Sequence, residues 1–216
     1  MSEFAVVGLG QFGMSVARHL ARQGASVLAV DLNQELVDNA ATEVDVAIRA
    51  DATDERTLEE LQLETMGCVV VAIGAHSIEA SILTTALLKQ VGVPRIVSRA
   101  ISDLHARILR TIGADEVVNP EEQMGKRLAL RLAEPSIIEQ VELGDSQLAE
   151  VEAPEAFVGK TLIELDIRNK YGVSVMAIQR GETVMASPRA IEKILSGDIL
   201  VVVGSVDSVR RIAALA

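Results

Sequence analysis

At 216 residues, 49% of them apolar but only 2% aromatic, the chain is long enough for one domain of ordinary size plus a smaller one, with cores built from Val, Ile, Leu and Ala. A formal net charge of −11 argues against a nucleic-acid surface and against direct docking on anionic lipid, since both need Lys and Arg to meet phosphates. A single cysteine excludes an internal disulfide framework. With neither a leader-like start nor an apolar run of bilayer length, the expectation is a cytoplasmic protein that reaches a membrane only through a partner.

The chain opens with a short apolar run, Phe4 to Val7, that leads into Gly8-Leu9-Gly10-Gln11-Phe12-Gly13 and then a helical pattern. A strand, a glycine turn and a helix N-terminus make a phosphate cradle, because the backbone N–H groups there point at any bound anion. Gly8 is expected to make the tight turn, Gly10 to let a pyrophosphate approach the backbone, and Gly13 to let the helix pack on the strand. Ser26 to Val30 reads as a second strand ending in Asp31, 18 residues after Gly13, which is about where an acid accepts the ribose hydroxyls.

Helix and strand then alternate. A helix over 33–42 with Asn33 as its N-cap precedes a third strand over 45–48. The polar loop holding Asp51, Ala52 and Thr53 follows at a strand's carboxyl end, where open α/β sheets bind ligands, and Thr53 or Asp54 caps the helix after it. A fourth strand over 69–73 runs into Gly74 and His76 on the same edge, both candidate contacts to a base or phosphate. A helix over 78–90 and a fifth strand over 94–100 bring Arg99 to that edge, either as a ligand cation or as an ordinary ion pair. A helix over 103–112, capped by Gly113, and a sixth strand over 115–118 complete a doubly wound parallel sheet of order 3-2-1-4-5-6. Cys68 reads as a buried, inert thiol, and His19 and His105 as helix-surface residues.

One more helix, over 123–132, carries Met124, Leu128 and Leu132 four apart with no sheet face left for them, so a second subunit is their expected partner. Beyond Pro135 the texture changes to short alternating runs over 138–143, 148–152, 173–179, 183–185 and 199–203. Helical stretches over 161–165, 190–195 and 206–215 and a hairpin turn at Arg180-Gly181-Glu182 complete a small α+β lobe.

The glycine turn, Val30-Asp31, Ala50-Asp51-Ala52-Thr53-Asp54, Val71-Ala72-Ile73-Gly74, Ile112-Gly113-Ala114-Asp115 and Pro120-Glu121 together resemble the RCK ("regulator of conductance of K⁺") cytosolic subunits of Ktr/Trk-type bacterial potassium uptake systems. The resemblance spans the chain: residues 1–135 as a Rossmann-type N-lobe with a crossover helix at about 121–134, and 137–216 as a C-lobe. With one lobe of each kind, the Ktr regulatory subunit is the nearest pattern. It implies a non-enzymatic regulator, a homo-oligomer of dimers closing into an octameric ring, peripheral to the inner face of the cell membrane on a membrane-embedded potassium-conducting subunit. The resemblance further implies that ATP in the N-lobe favours the active transporter and ADP the inactive one.

The family often has an arginine in the glycine loop where this chain has Gln11. That departure leaves γ-phosphate recognition to Arg99 and keeps NAD or NADH open as the ligand. By resemblance Glu121 is a ligand for Mg²⁺ or Na⁺; read from the chain alone, it is a helix N-terminal carboxylate stabilised by the dipole. The resemblance also makes Ile167, Arg168, Ile178 and Pro188 candidates for cyclic di-AMP (c-di-AMP). The competing readings are an NAD(H)-binding redox sensor and a nicotinamide-dependent oxidoreductase. The second is disfavoured by a C-terminal lobe with no histidine, no cysteine and Tyr171 as its one tyrosine.

Overall fold

A computed structural model describes residues 3–74 and 77–216. The chain divides into two compact units, Met1–Met124 and Gly125–Ala216. The first contains β1 (Glu3–Val7), α1 (Gln11–Arg22), β2 (Ser26–Asp31), α2 (Gln34–Ala40), β3 (Val46–Arg49), α3 (Glu55–Glu60), β4 (Cys68–Val71), α4 (Ile78–Gln90), β5 (Ile96–Arg99), α5 (Asp103–Ile112) and β6 (Glu116–Val118). Its six strands are all parallel in the order β3-β2-β1-β4-β5-β6, the topology expected from the alternating pattern.

Alternation along β1 explains why the sheet is covered on both faces. Val6 joins Val27, Ala29, Val70 and Ala72 beneath α1 and α2, while Ala5 and Val7 join Leu28, Val30, Val69 and Val71 beneath Leu58 of α3 and Leu88 of α4. Small and β-branched side chains suit a parallel sheet buried on both sides. The caps follow the sequence closely: Asn33 Oδ1 accepts from Glu35 N, and Asp54, not Thr53, caps α3 by accepting from Arg56 N. Gly113 ends α5 in the left-handed region at φ 116°.

Helix α6 (Pro120–Ala133) begins in the first unit and ends in the second. Met124, Leu128 and Leu132 are 60%, 43% and 71% exposed along it, so the predicted apolar stripe is left exposed among the described residues. The second unit adds β7 (Ile137–Leu143), β8 (Ser146–Glu152), α7 (Leu162–Leu165), α8 (Ile167–Tyr171), β9 (Val173–Arg180), β10 (Thr183–Ala186), β11 (Ile199–Ser205) and α9 (Val206–Ala213). The strands form an antiparallel sheet of order β10-β9-β11-β8-β7. Its core gathers Ala149, Val151, Ile178, Leu200 and Val202 from the sheet with Phe157, Leu165, Ile167, Ile194, Val209 and Ile212.

Two expectations are corrected here. Residues 190–195 are not helical: Leu162 N donates to Glu192 O, Ile163 N to Ala190 O and Ile194 N to Lys160 O, so this backbone pairs with the stretch before and into α7. Arg180 Nη2 also donates to Lys193 O, and Leu195 N donates to the Asp198 carboxylate; a helix forfeits these bonds. His105 is not a surface residue either. It is 3% exposed on the side of α5 that buries Ala106 and Leu109, with no hydrogen-bond partner on either ring nitrogen, and burial pushes its pKa below the usual histidine range. Cys68 is buried as expected, and burial raises its thiol pKa, so it is a poor nucleophile. Among the described residues, no helix is long and apolar enough to cross a membrane.

Candidate nucleotide-binding site

The strand order reverses between β1 and β4, and the crevice outside the carboxyl ends of those strands is where such a sheet takes its ligand. A cleft of about 190 Å³ lies there, lined by the glycine turn, the end of β2, the loop after β3, Ala72 to Gly74 and the first turns of α4. The sequence candidates Gly8, Gly10, Asp31, Asp51, Ala52, Thr53 and Gly74 all line it. His76 lies outside the described residues.

The three glycines differ in what surrounds them. Gly8 has φ +93°, and a Cβ there meets Ile73 N at 2.9 Å; a Cβ on Gly13 falls 1.8 Å from Gly8 O. Those two glycines are therefore required by the protein's own packing. Gly10 sits in ordinary extended backbone at φ −63° and ψ −175°, and its Cβ meets nothing within 4 Å. Of these three, only at Gly10 is the missing side chain not explained by the protein, and the open space beside it adjoins the N-terminus of α1, a position suited to an anion. The residues present thus fit a nucleotide phosphate. Gln11 is exposed beside it, and Phe12 packs inward against the α1 face of the sheet.

Asp31 holds the turn in place. Its Oδ2 accepts from Leu9 N at 2.6 Å and its Oδ1 from Asn33 N at 2.8 Å, so one carboxylate ties the glycine turn to the end of β2. The remaining lone pairs face the cleft that Asp31 lines and are available to a ribose diol. Across the cleft, Asp51 Oδ1 accepts from both Thr53 N and Thr53 Oγ1, at 2.9 and 2.6 Å, which holds its carboxyl below the usual carboxylate range. Thr84 Oγ1 donates to Ala52 O at 3.1 Å and fixes the loop against α4.

Arg99 and Glu121, candidates for two different roles, are partners: Arg99 Nη2 is ion-paired to Glu121 Oε1. The guanidinium carbon lies 5.9 Å from the centroid of the Phe12 ring, and Nη1 is 3.6 Å from the Cβ position of Gly74. Among the described residues no group of three or more His, Cys, Asp or Glu is placed to hold a metal ion. Of the c-di-AMP candidates, Arg168 is exposed and Pro188 half-buried, whereas Ile167 and Ile178 are 4% and 1% exposed in the core of the second unit. Those two isoleucines offer no surface to a ligand, because both are needed to pack the sheet.

Sequence reasoning missed Ser77, Ala80 and Thr84, which line the cleft from α4. Their signal is a row of small residues at helical spacing at the start of that helix.

Residues 4–120 match the TrkA-N domain and residues 147–216 the TrkA-C domain. The chain belongs to the family of Trk and Ktr potassium uptake proteins. Among its relatives in that family is the Ktr system potassium uptake protein C of Bacillus subtilis, 43% identical over 97% of this chain and 95% of that protein. The Ktr system potassium uptake protein A of the same organism is 38% identical over 97% and 94%. Among solved structures, the GsuK channel superposes with a TM-score of 0.71 at 19% identity, over 99% of this chain and 39% of that longer one, a likeness of fold.

Proposed function

We propose that this family member is a non-enzymatic, ligand-gated regulatory subunit of a potassium uptake system. It works in the cytoplasm at the inner face of the membrane, assembled with copies of itself and with a potassium-conducting membrane subunit. The likeness to Ktr potassium uptake proteins over 97% of the chain carries this reading, and the open approach at Gly10 supplies a place for the controlling ligand. That ligand is an adenine nucleotide: the glycine turn and α1 meet its phosphates, Asp31 its ribose, and Asp51 to Thr53 with the start of α4 the far side. Nucleotide control requires unequal affinity for two states of the assembly, so ATP and ADP have to differ in their contacts. A divalent cation or Na⁺ at Glu121 fits only with further donors from the nucleotide phosphates or a second copy. C-di-AMP stays outside this reading, since two of its four expected contacts are core side chains.

NAD(H) is the second reading, favoured by the uncharged Gln11 and by Asp31 at a ribose position. Calorimetry on nucleotide-stripped protein separates the two: ATP and ADP are expected to bind and NADH not to, and the reverse result overturns the ligand assignment. In the same assay Asp31→Ala is expected to weaken ATP by about tenfold or more, through lost ribose hydrogen bonds and a loosened turn. Unchanged affinity would leave Asp31 as a structural strand end.

The exposed stripe on α6 supports self-assembly, because three large apolar side chains on one helix face are a poor surface for an isolated chain. Light scattering is expected to give a mass well above one chain at micromolar concentration. A stable monomer there contradicts the assembly.

A further inference from the structure

Arg99 and Glu121 are unequal partners, and the inequality says which of them gives way. The Arg99 side chain is 15% exposed and Glu121 is 62% exposed. Arg99 is held: the Phe12 ring lies on one side, Gly74 on another, and its Nε is buried with no hydrogen-bond partner. Glu121 is in the first turn of α6, and its carboxylate can turn into water without uncovering anything. The guanidinium faces Gly74, which lines the same cleft as Gly8 and Gly10. A guanidinium carries five donors, and among the described residues Glu121 is the one acceptor that this one meets. Arg99 is therefore a fixed cation beside Gly74 at the margin of the cleft, and its one counter-ion among the described residues is loosely held.

We propose that Glu121 is a displaceable stand-in for a ligand phosphate: it occupies Arg99 in the free protein and is released when a nucleotide's terminal phosphate takes its place. This rests on the nucleotide reading above and adds the exchange at Arg99, with Glu121 as the group the phosphate displaces. The exchange replaces one carboxylate by a phosphate with more charge and more acceptor oxygens, so it favours ATP over ADP and ADP over AMP. It also gives a chain with Gln11 in its glycine turn a means of distinguishing those ligands without a second cation. A carboxylate left beside a bound phosphate is repelled, and Glu121 lies on the helix that runs on past Met124, so its release is felt at the start of α6.

The stand-in and metal-ligand roles of Glu121 predict opposite effects of one substitution. In EDTA, Glu121→Gln is expected to bind ATP about fivefold more tightly than the wild type, because the competing ion pair is gone. Arg99→Gln is expected to weaken ATP, and the double variant to lose the gain that Glu121→Gln shows alone. Affinity of Glu121→Gln that is unchanged or weaker in EDTA overturns the proposal, and so does a gain that persists without Arg99. A loss of affinity confined to Mg²⁺ buffers, with no gain in EDTA, assigns Glu121 to a metal instead. If the wild type binds no adenine nucleotide at all, the nucleotide reading itself fails, which is distinct from nucleotide binding that Glu121 does not affect. Melting curves of each variant check the fold, and the exposed position of Glu121 predicts no change for Glu121→Gln.

Discussion

Gly10→Asp is expected to keep the fold and lose the nucleotide. The backbone at residue 10, φ −63° and ψ −175°, suits any side chain, and a Cβ there meets nothing within 4 Å. Gly10 is also the N-cap of α1 and makes no side-chain cap bond, so an aspartate can supply one and add favourable charge at the helix N-terminus. The melting temperature should therefore hold or rise. Binding should fall by at least about a hundredfold, because the carboxylate occupies and repels what the turn presents to a phosphate. Gly13→Ala is the contrast. Its Cβ falls 1.8 Å from Gly8 O and 3.0 Å from the Ala72 Cβ; a backbone oxygen cannot swing aside, so α1 must lift off the sheet. That variant should lose stability by about 3 kcal/mol or more, and binding with it. Calorimetry and thermal melts on both proteins give the answer, and Gly10→Asp binding ATP within threefold of wild type would remove the turn from the site.

The first unit was legible because its signals are local and repeated. Each strand is a short Val-, Ala- or Ile-rich run closed by a turn residue, and Asn33 and Gly113 mark helix ends through their own chemistry. What escaped depends on contacts between distant positions. Residues 190–195 carry apolar side chains at helical spacing, yet partners at 160–163 and the Arg180 and Asp198 side chains hold them in a non-helical path. A single histidine on an amphipathic helix gives no sign of whether it lies just inside or outside the apolar stripe, and His105 lies inside. In the site, the glycines and Asp31 announce themselves by spacing. The carboxylate of Asp31 bonding Leu9 N, and Arg99 meeting Glu121, join residues 22 apart in the chain and need the fold to be seen. Residue-by-residue resemblance placed Ile167 and Ile178 at a ligand without saying which way they point; in the fold Ile167 on α8 and Ile178 on β9 both join the core of the second unit.

Asp198→Ala carries the largest stability effect expected in the second unit. The Asp198 side chain is fully buried and accepts from Arg180 Nε and Nη2, each at 2.9 Å, and from Leu195 N at 2.8 Å. It thus pins the non-helical 190–195 segment to β9 and the start of β11, while Arg180 reaches on to Lys193 O and Glu192. Removing the carboxylate leaves the Leu195 N–H without this acceptor at a part-buried position, and Arg180 is 38% exposed and can turn to water. The cost is therefore placed below that of breaking a wholly buried pair, at about 2–3 kcal/mol. The paired guanidinium, assisted by Leu195 N, holds the Asp198 carboxyl below the usual carboxylate range. A group whose folded pKa is depressed stabilises fully above its unfolded value, about 3.9, and that stability is lost as the pH falls through the lower folded value. The gap in melting temperature between wild type and Asp198→Ala should accordingly be widest at neutral pH and narrow steadily below pH 4. Other lowered carboxyls, Asp51 and Glu164 among them, cancel in that difference because both proteins carry them. Amide exchange at Ile194 and Leu195 should quicken in the variant, since those N–H groups lie in the segment that the carboxylate anchors. Equal melting temperatures at pH 7 with unaltered exchange at those two amides would mean that the packing of Ile194 alone holds the segment in place.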